Sequence, residues 1–158
     1  MPKSARRRTT RASTSASPVS DRIRIDFVIL ADFAQAVQGK LSVIGGGWNL
    51  HNATQYPSTL HFGLGIGILV PWPETNRKHK FNFVIRASEG AELASGGGDF
   101  EVGRQPGLPP GMTQRVVIGL SGQLQIPQPG SYEVAVTAAD VERVVTFEAL
   151  PVPVPSLR

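Results

Sequence analysis

Cysteine is absent from the chain. That excludes disulfides, thiolate zinc sites, iron–sulfur ligation and a cysteine nucleophile, and it leaves the redox compartment open. Histidine is scarce: His51, His61 and His79 stand apart, with no His-x-His or His-Glu-x-x-His spacing, so they read as surface or hydrogen-bonded side chains and not as metal ligands. The acids are scattered singly, and no calcium loop is visible. Long apolar runs are missing too. The longest, Leu64 to Trp72, is broken by Gly and Pro and is about half the roughly 20 residues of a membrane span.

What is present points elsewhere. The chain has 158 residues, the size of one domain with tails, and 41% of them are apolar, enough for a core. Gly 17 and Pro 13 together approach one residue in five, against roughly 12% in average proteins. The formal net charge of +4 is unevenly placed. Residues 1–20 hold Lys3, Arg6, Arg7, Arg8 and Arg11 and no acid, so of 16 bases and 12 acids the remainder keeps 11 and 12. The tail is +5 and the body is close to neutral.

Apart from Met1 and Val19, residues 1–20 are otherwise Ser, Thr, Ala and Pro, too poor in apolar surface to offset the entropy of ordering, so alone this arm is expected to be disordered. No apolar h-region follows the arginines, which argues against a secretory signal. A clustered positive segment suits an acidic protein surface or nucleic acid. Five charges would neutralise about five phosphates, giving salt-sensitive, sequence-blind binding. The arm has no aromatic residue for base stacking.

From Asp21 onward the pattern has strand character with frequent turn residues. Strands are expected at 22–30, 41–44, 61–70, 80–86, 98–103, 114–120, 130–137 and 143–149, the last two forming a terminal hairpin. Leu30, Phe33, Ala34 and Val37 fall at helical spacing, which predicts a turn or two of helix over 31–38. In His61–Val70, Phe62, Leu64, Ile66, Ile68 and Val70 share one face, and Gly63, Gly65 and Gly67 share the other. A glycine row predicts a bend, or something packed close against it. The expected fold is all-β: a single antiparallel β-sandwich, immunoglobulin-like or jelly-roll, over 21–150. The arm occupies 1–20. Residues 151–158, opening Pro-Val-Pro-Val-Pro, are expected to leave as an extended tail.

Catalytic motifs fail one by one. Gly63-x-Gly-x-Gly67 has the wrong spacing for a dinucleotide fingerprint, and Pro71 and Pro73 follow where a helix is needed. Gly39-Lys40 lacks the rest of a P-loop. Gly119-Leu-Ser121-Gly carries Gln123 where a nucleophile elbow needs Gly. Asp99 and Glu101 lie about 7 Å apart on one strand face, a spacing inverting glycosidases use, but a polar outer face explains them better. No enzyme, cofactor or metal is expected. Trp48, Trp72 and Tyr56 fall at strand ends or loops, where they either plug the ends of the core or form a patch for carbohydrate or another ligand; the plug fits better.

Phe27-Val-Ile-Leu-Ala-Asp-Phe-Ala-Gln35, Gly39-Lys-Leu-Ser-Val-Ile-Gly-Gly-Gly-Trp48, Val70-Pro-Trp-Pro-Glu-Thr-Asn-Arg77 and Gly103-Arg-Gln-Pro-Gly-Leu-Pro-Pro-Gly111 resemble an uncharacterised family of actinobacterial and phage-borne β-domains. The resemblance covers most of 25–150 and leaves out the arm. It implies a setting, bacterial or bacteriophage, and no activity or site residue. The expectation is a non-enzymatic interaction protein, oligomeric in context. Its concrete form is a virion subunit such as a minor capsid or decoration protein, in the virion or bacterial cytoplasm. Its partners are neighbouring protein subunits or DNA, met through the arm, and not a membrane.

Overall fold

A computed structural model describes residues 21–153. They form an all-β sandwich of ten strands, with one 3-10 turn at Trp72–Glu74. Three strands make one sheet: β1 (Arg24–Ala31), β5 (Ser58–Val70) and β8 (Gln114–Ile126), in the order β1-β5-β8. The second sheet holds β4 (Leu50–Ala53), β10 (Val141–Pro151), β9 (Gly130–Ala138), β6 (Lys78–Ala87) and β7 (Glu92–Glu101), in the order β4-β10-β9-β6-β7. A separate hairpin joins β2 (Phe33–Val37) to β3 (Lys40–Ile44). Every pairing is antiparallel except β4 with β10, which is parallel.

The core forms where alternate residues of the two sheets meet. Leu64, Ile66, Ile68 and Val70 of β5 are fully buried and pack in one cluster with Ile85, Tyr132, Val134, Val136, Phe147 and Ala149. Each large side chain removed from water contributes about 1.5–3 kcal/mol, so β5 is the spine of the fold. At the sandwich edge Arg143 reaches from β10 and donates to the carbonyl oxygens of Ile25 (3.4 Å) and Asp26 (2.6 Å), where β1 carries a bulge.

The segment 31–38 is not helical, contrary to its spacing. Gln38 (φ 51°) and Gly39 (φ 72°) both lie in the left-handed region and form a two-residue turn between Val37 and Lys40. That backbone twist matches paired strands and cannot sit inside a helix. The resulting hairpin lies across the outer face of the three-stranded sheet and packs against Gly63 and Gly65 of the glycine row, whereas Gly67 lies under the Phe27 ring of β1. A Cβ on Gly63 would stand 2.5 Å from the backbone of Phe33 and Ala34, and one on Gly119 2.5 Å from Gln35. Gly65 faces Leu41 at 2.9 Å.

Glycine also explains two strands that run longer than expected. β7 begins at Glu92, not Gly98, although Gly96-Gly97-Gly98 interrupts it. Phe83 and Phe81 of β6 stand opposite Gly96 and Gly98 and lay their rings over them, supplying the side-chain cover the glycines lack. Phe62 covers Gly122 in the same way, which carries β8 on to Ile126.

The proline-rich end also starts later than expected. Pro151 is still in register with Ala53, and Val152 donates its N–H to the Ala53 carbonyl at 2.9 Å. A proline is tolerated here because the strand is ending and its nitrogen is not needed in the ladder. Residues 154–158 lie outside the described residues.

Candidate interaction site

Lys3, Arg6, Arg7, Arg8 and Arg11 lie outside the described residues. The body shows where their segment starts. Arg22 and Ile23 line a recess of about 310 Å³ with Glu74 and the β9–β10 turn residues Ala139 and Asp140. Ala139 in turn donates its N–H to the Lys80 carbonyl at 2.9 Å. The chain therefore enters at the end of the five-stranded sheet that holds the start of β6 and, beside it, the end of β7.

Among the described residues β7 closes that sheet and is paired on its β6 side only. Strand alternation fixes its two faces. Phe100 is buried, whereas Ser95, Asp99 and Glu101 point outward and are exposed, as is Glu92 beyond a register shift. Asp99 stands opposite Lys80 and Glu101 opposite Lys78, with Glu92 opposite Arg86. Glu92 also accepts from the Ser95 hydroxyl at 2.7 Å. So the carboxylates that the sequence groups on one face do share it, each with a cation across the ladder. β7 itself carries three acids and no base.

The three aromatic residues at strand ends do not meet. Tyr56 precedes β5 and Trp72 follows it; thirteen strand residues at about 3.3 Å each put roughly 40 Å between those ends. Tyr56 donates its hydroxyl to the Leu150 carbonyl at 3.0 Å. Trp48 packs edge-on against Phe147 (centroids 5.7 Å apart, 87°), and Phe147 stacks on Tyr132 (5.3 Å, 16°). At the far end Arg104 lies over the Trp72 ring, 4.4 Å from its centroid. It also donates to Thr75 Oγ1 (2.7 Å) and the Trp72 carbonyl (3.1 Å). Trp48 is thus a core plug, as expected, and Trp72 a stacking base for one arginine.

Each histidine has a local partner. His51 Nε2 pairs with Ser58 Oγ at 2.8 Å, and burial holds its imidazole below the ordinary value. His61 Nδ1 pairs with Gln123 at 3.1 Å, and His79 Nε2 with the Glu74 carbonyl at 2.9 Å. Among the described residues no three His, Asp or Glu side chains are grouped to hold a metal ion. Ser121 spends its hydroxyl on the backbone of Ala34, accepting from its N–H and donating to its C=O, both at 2.9 Å.

Two further open clefts lie among the described residues. One of about 480 Å³ runs between Glu101–Pro106 and the start of β8, lined by Arg104, Gln105, Gln114 and Arg115. Both arginines are already committed, Arg104 as above and Arg115 to Asp26. The other, about 440 Å³, lies along the β4–β5 connection beside His51 and Ser58. The hairpin adds an exposed apolar strip of Phe33, Val37 and Ile44, the last 65% exposed. Sequence reasoning missed this strip because it took the segment for helix; Gln38-Gly39 between two short apolar runs was the available signal. The bare edge of β7 was missed as well, because its glycines read as a loop. Among the described residues no helix is long and apolar enough to cross a membrane.

The chain belongs to a family of unknown function, DUF6941, which matches it over residues 26–147. That span takes in the sandwich and the hairpin and excludes residues 1–20, as the resemblance implied. No curated protein matches the chain.

Proposed function

We propose that this domain is a non-enzymatic interaction protein, a subunit of a larger assembly, whose basic arm contacts a neighbouring subunit or DNA through Lys3, Arg6, Arg7, Arg8 and Arg11. One observation carries the reading: five of 16 bases fall in the first 20 residues with no acid, ahead of a body that is close to neutral. Charge so segregated acts as a tether and not as a property of the folded surface. The sandwich supports it, since Ser121 and the glycine row are spent on structure. The finer setting, a virion with this chain as a minor capsid or decoration subunit, rests on the family resemblance to phage-borne domains.

Deleting residues 1–20 tests the reading. The expected product is a folded sandwich with an unchanged melting transition that no longer enters the complex formed by the full chain. Unchanged incorporation overturns it. A DNA partner has its own signature: five phosphate contacts predict a log–log salt slope of about −4.5, from roughly −0.9 per contact. The alternative, a ligand- or carbohydrate-binding sandwich, keeps only Trp72 and the Arg104 cleft in its support. A glycan array comparing the native chain with W72A tests it.

A further inference from the structure

We infer that the free edge of β3, with the apolar floor beside it, is a docking groove for an extended segment of another protein, one with apolar residues at alternate positions and acids at its ends. Among the described residues β3 is paired with β2 alone. Ser121 takes the N–H and C=O of Ala34 on the side of β2 away from β3, so Ala34 and its partner Val43 are a non-hydrogen-bonded pair of the ladder. The N–H and C=O of Val43, and by alternation those of Leu41, therefore point away from β2, where nothing among the described residues pairs with them. No proline interrupts β3, and its one lysine, Lys40, stands at the end of the edge and not in its middle.

The floor belongs to the three-stranded sheet. Successive outward rows across it are Ile29–Gly65–Gly119, Phe27–Gly67–Val117 and Arg24–Leu69–Arg115. β2 lies over Gly63 and Gly119, and β3 places Leu41 and Val43 over Gly65, so the free edge of β3 faces the Phe27–Gly67–Val117 row. That row lies about 7 Å beyond Gly65, two residues along each strand. Its surface stays open: Phe27 and Val117 are half-buried, as is Leu69 behind them. A strand added about 4.8 Å from β3 rests its inward side chains on this floor, while its backbone pairs with Leu41 and Val43.

Shape and charge select the occupant. A second β3 is excluded, because it carries its own sheet beneath it. At about 4.8 Å from this edge, that sheet would fall in the space held by Phe27, Gly67 and Val117. Only a segment with nothing packed under it fits. The rim is basic: Lys40 and Arg24 are exposed, and among the described residues neither is ion-paired, whereas Arg115 is held by Asp26. The chain's own first 20 residues, with five cations, no acid and Val19 as the one large aliphatic after Met1, match neither the floor nor the rim. Acids flanking an alternating apolar segment match both.

Three labelled peptides test the groove against the full chain by fluorescence anisotropy: EVTVTVE, its basic-ended form KVTVTVK, and the block form EVVVTTE. EVTVTVE is expected to bind and to protect the Leu41 and Val43 amides from hydrogen exchange, with the other two at least about tenfold weaker. V43P removes an N–H that β2 does not use, so the hairpin stays paired and binding is lost. R24E/K40E lowers the affinity for EVTVTVE on the order of tenfold and raises that for KVTVTVK. If V43P opens the hairpin, seen as faster exchange over 33–37, the R24E/K40E exchange of preference decides alone. No binding of EVTVTVE, equal binding of the three peptides, or protection on β7 in place of β3 overturns the site. So does tighter binding after deletion of residues 1–20, which makes the chain's own arm the occupant, or a dimer of the full chain that V43P dissolves.

Discussion

Ser121 stands in for a β-strand: its single hydroxyl pairs with both backbone groups of Ala34, accepting from N–H and donating to C=O at 2.9 Å each. β2 has β3 along one edge and this side chain along the other. Gly63 and Gly119, the nearest neighbours of the crossing, let the two backbones approach that closely. S121A should therefore leave two part-buried groups unpaired and cost about 1–3 kcal/mol. G63A and G119A should cost at least as much, because backbone cannot yield to a new methyl. G65A should cost less, since it meets the mobile end of Leu41. Denaturant unfolding gives the order, and hydrogen exchange over 33–44 should rise in all but G65A. Equal costs at Gly65 and Gly63 would contradict the crossing.

The aromatic cover over β7 predicts a coupling. A methyl at Gly96 would meet the Phe83 ring at 2.8 Å, and at Gly98 the Phe81 ring at 3.2 Å. G96A should then destabilise more than G98A. Shrinking the ring relieves the conflict, so F83L with G96A should cost less than the sum of the two. A coupling of about 0.5–3 kcal/mol is expected in a double-mutant cycle. Strict additivity would mean that ring and glycine do not touch.

These two arrangements show what a single sequence discloses. Phe62-x-Leu-x-Ile-x-Ile-x-Val70 announces a half-buried strand through period two alone, and its glycines announce a close neighbour. The neighbour's identity was hidden because Leu30, Phe33, Ala34 and Val37 satisfy a helical period, while a local turn, Gln38-Gly39, decided the outcome. Phe27, Phe62, Phe81 and Phe83 each face a glycine on the next strand, a pattern that exists only once register is set. Gly96-Gly97-Gly98 reads as a loop until Phe81 and Phe83 are placed over it. Of the candidate site, the charge imbalance of the arm is fully legible. The bare edge of β7 is not, because an edge is a property of sheet order and not of composition.

Acid sensitivity should trace in part to His51. Its imidazole packs beside Ser58 and Tyr56, and burial lowers its pKa from the ordinary 6.5. Below 6.5 the unfolded chain takes up a proton that the folded chain resists, so unfolding binds protons and stability falls as pH drops through that window. Above 6.5 the contribution is fully present. H51Q keeps a hydrogen-bonding group near Ser58 and removes the titration. Its stability should vary less between pH 7 and pH 5 than that of the native chain. An identical pH dependence would remove His51 as a source.

Trp48 presents two effects of opposite sign. Its ring packs edge-on against Phe147 and extends the Tyr132–Phe147 stack, which favours the fold. Its Nε1–H is buried with no hydrogen-bond partner among the described residues, and an unpaired buried donor costs about 1–3 kcal/mol. W48F separates them, since phenylalanine keeps an aromatic edge toward Phe147 and carries no donor. W48F should therefore lie within about 1 kcal/mol of the native chain, on either side, because the smaller ring gives back some packing. W48A loses ring and donor together and should destabilise by about 1–3 kcal/mol net, less than the 3–5 of a fully buried tryptophan, because this one is half-buried. Guanidinium unfolding of the three proteins gives both differences. If W48F proves as costly as W48A, the indole N–H has a partner after all, and the ring's position is held by that bond and not by Phe147.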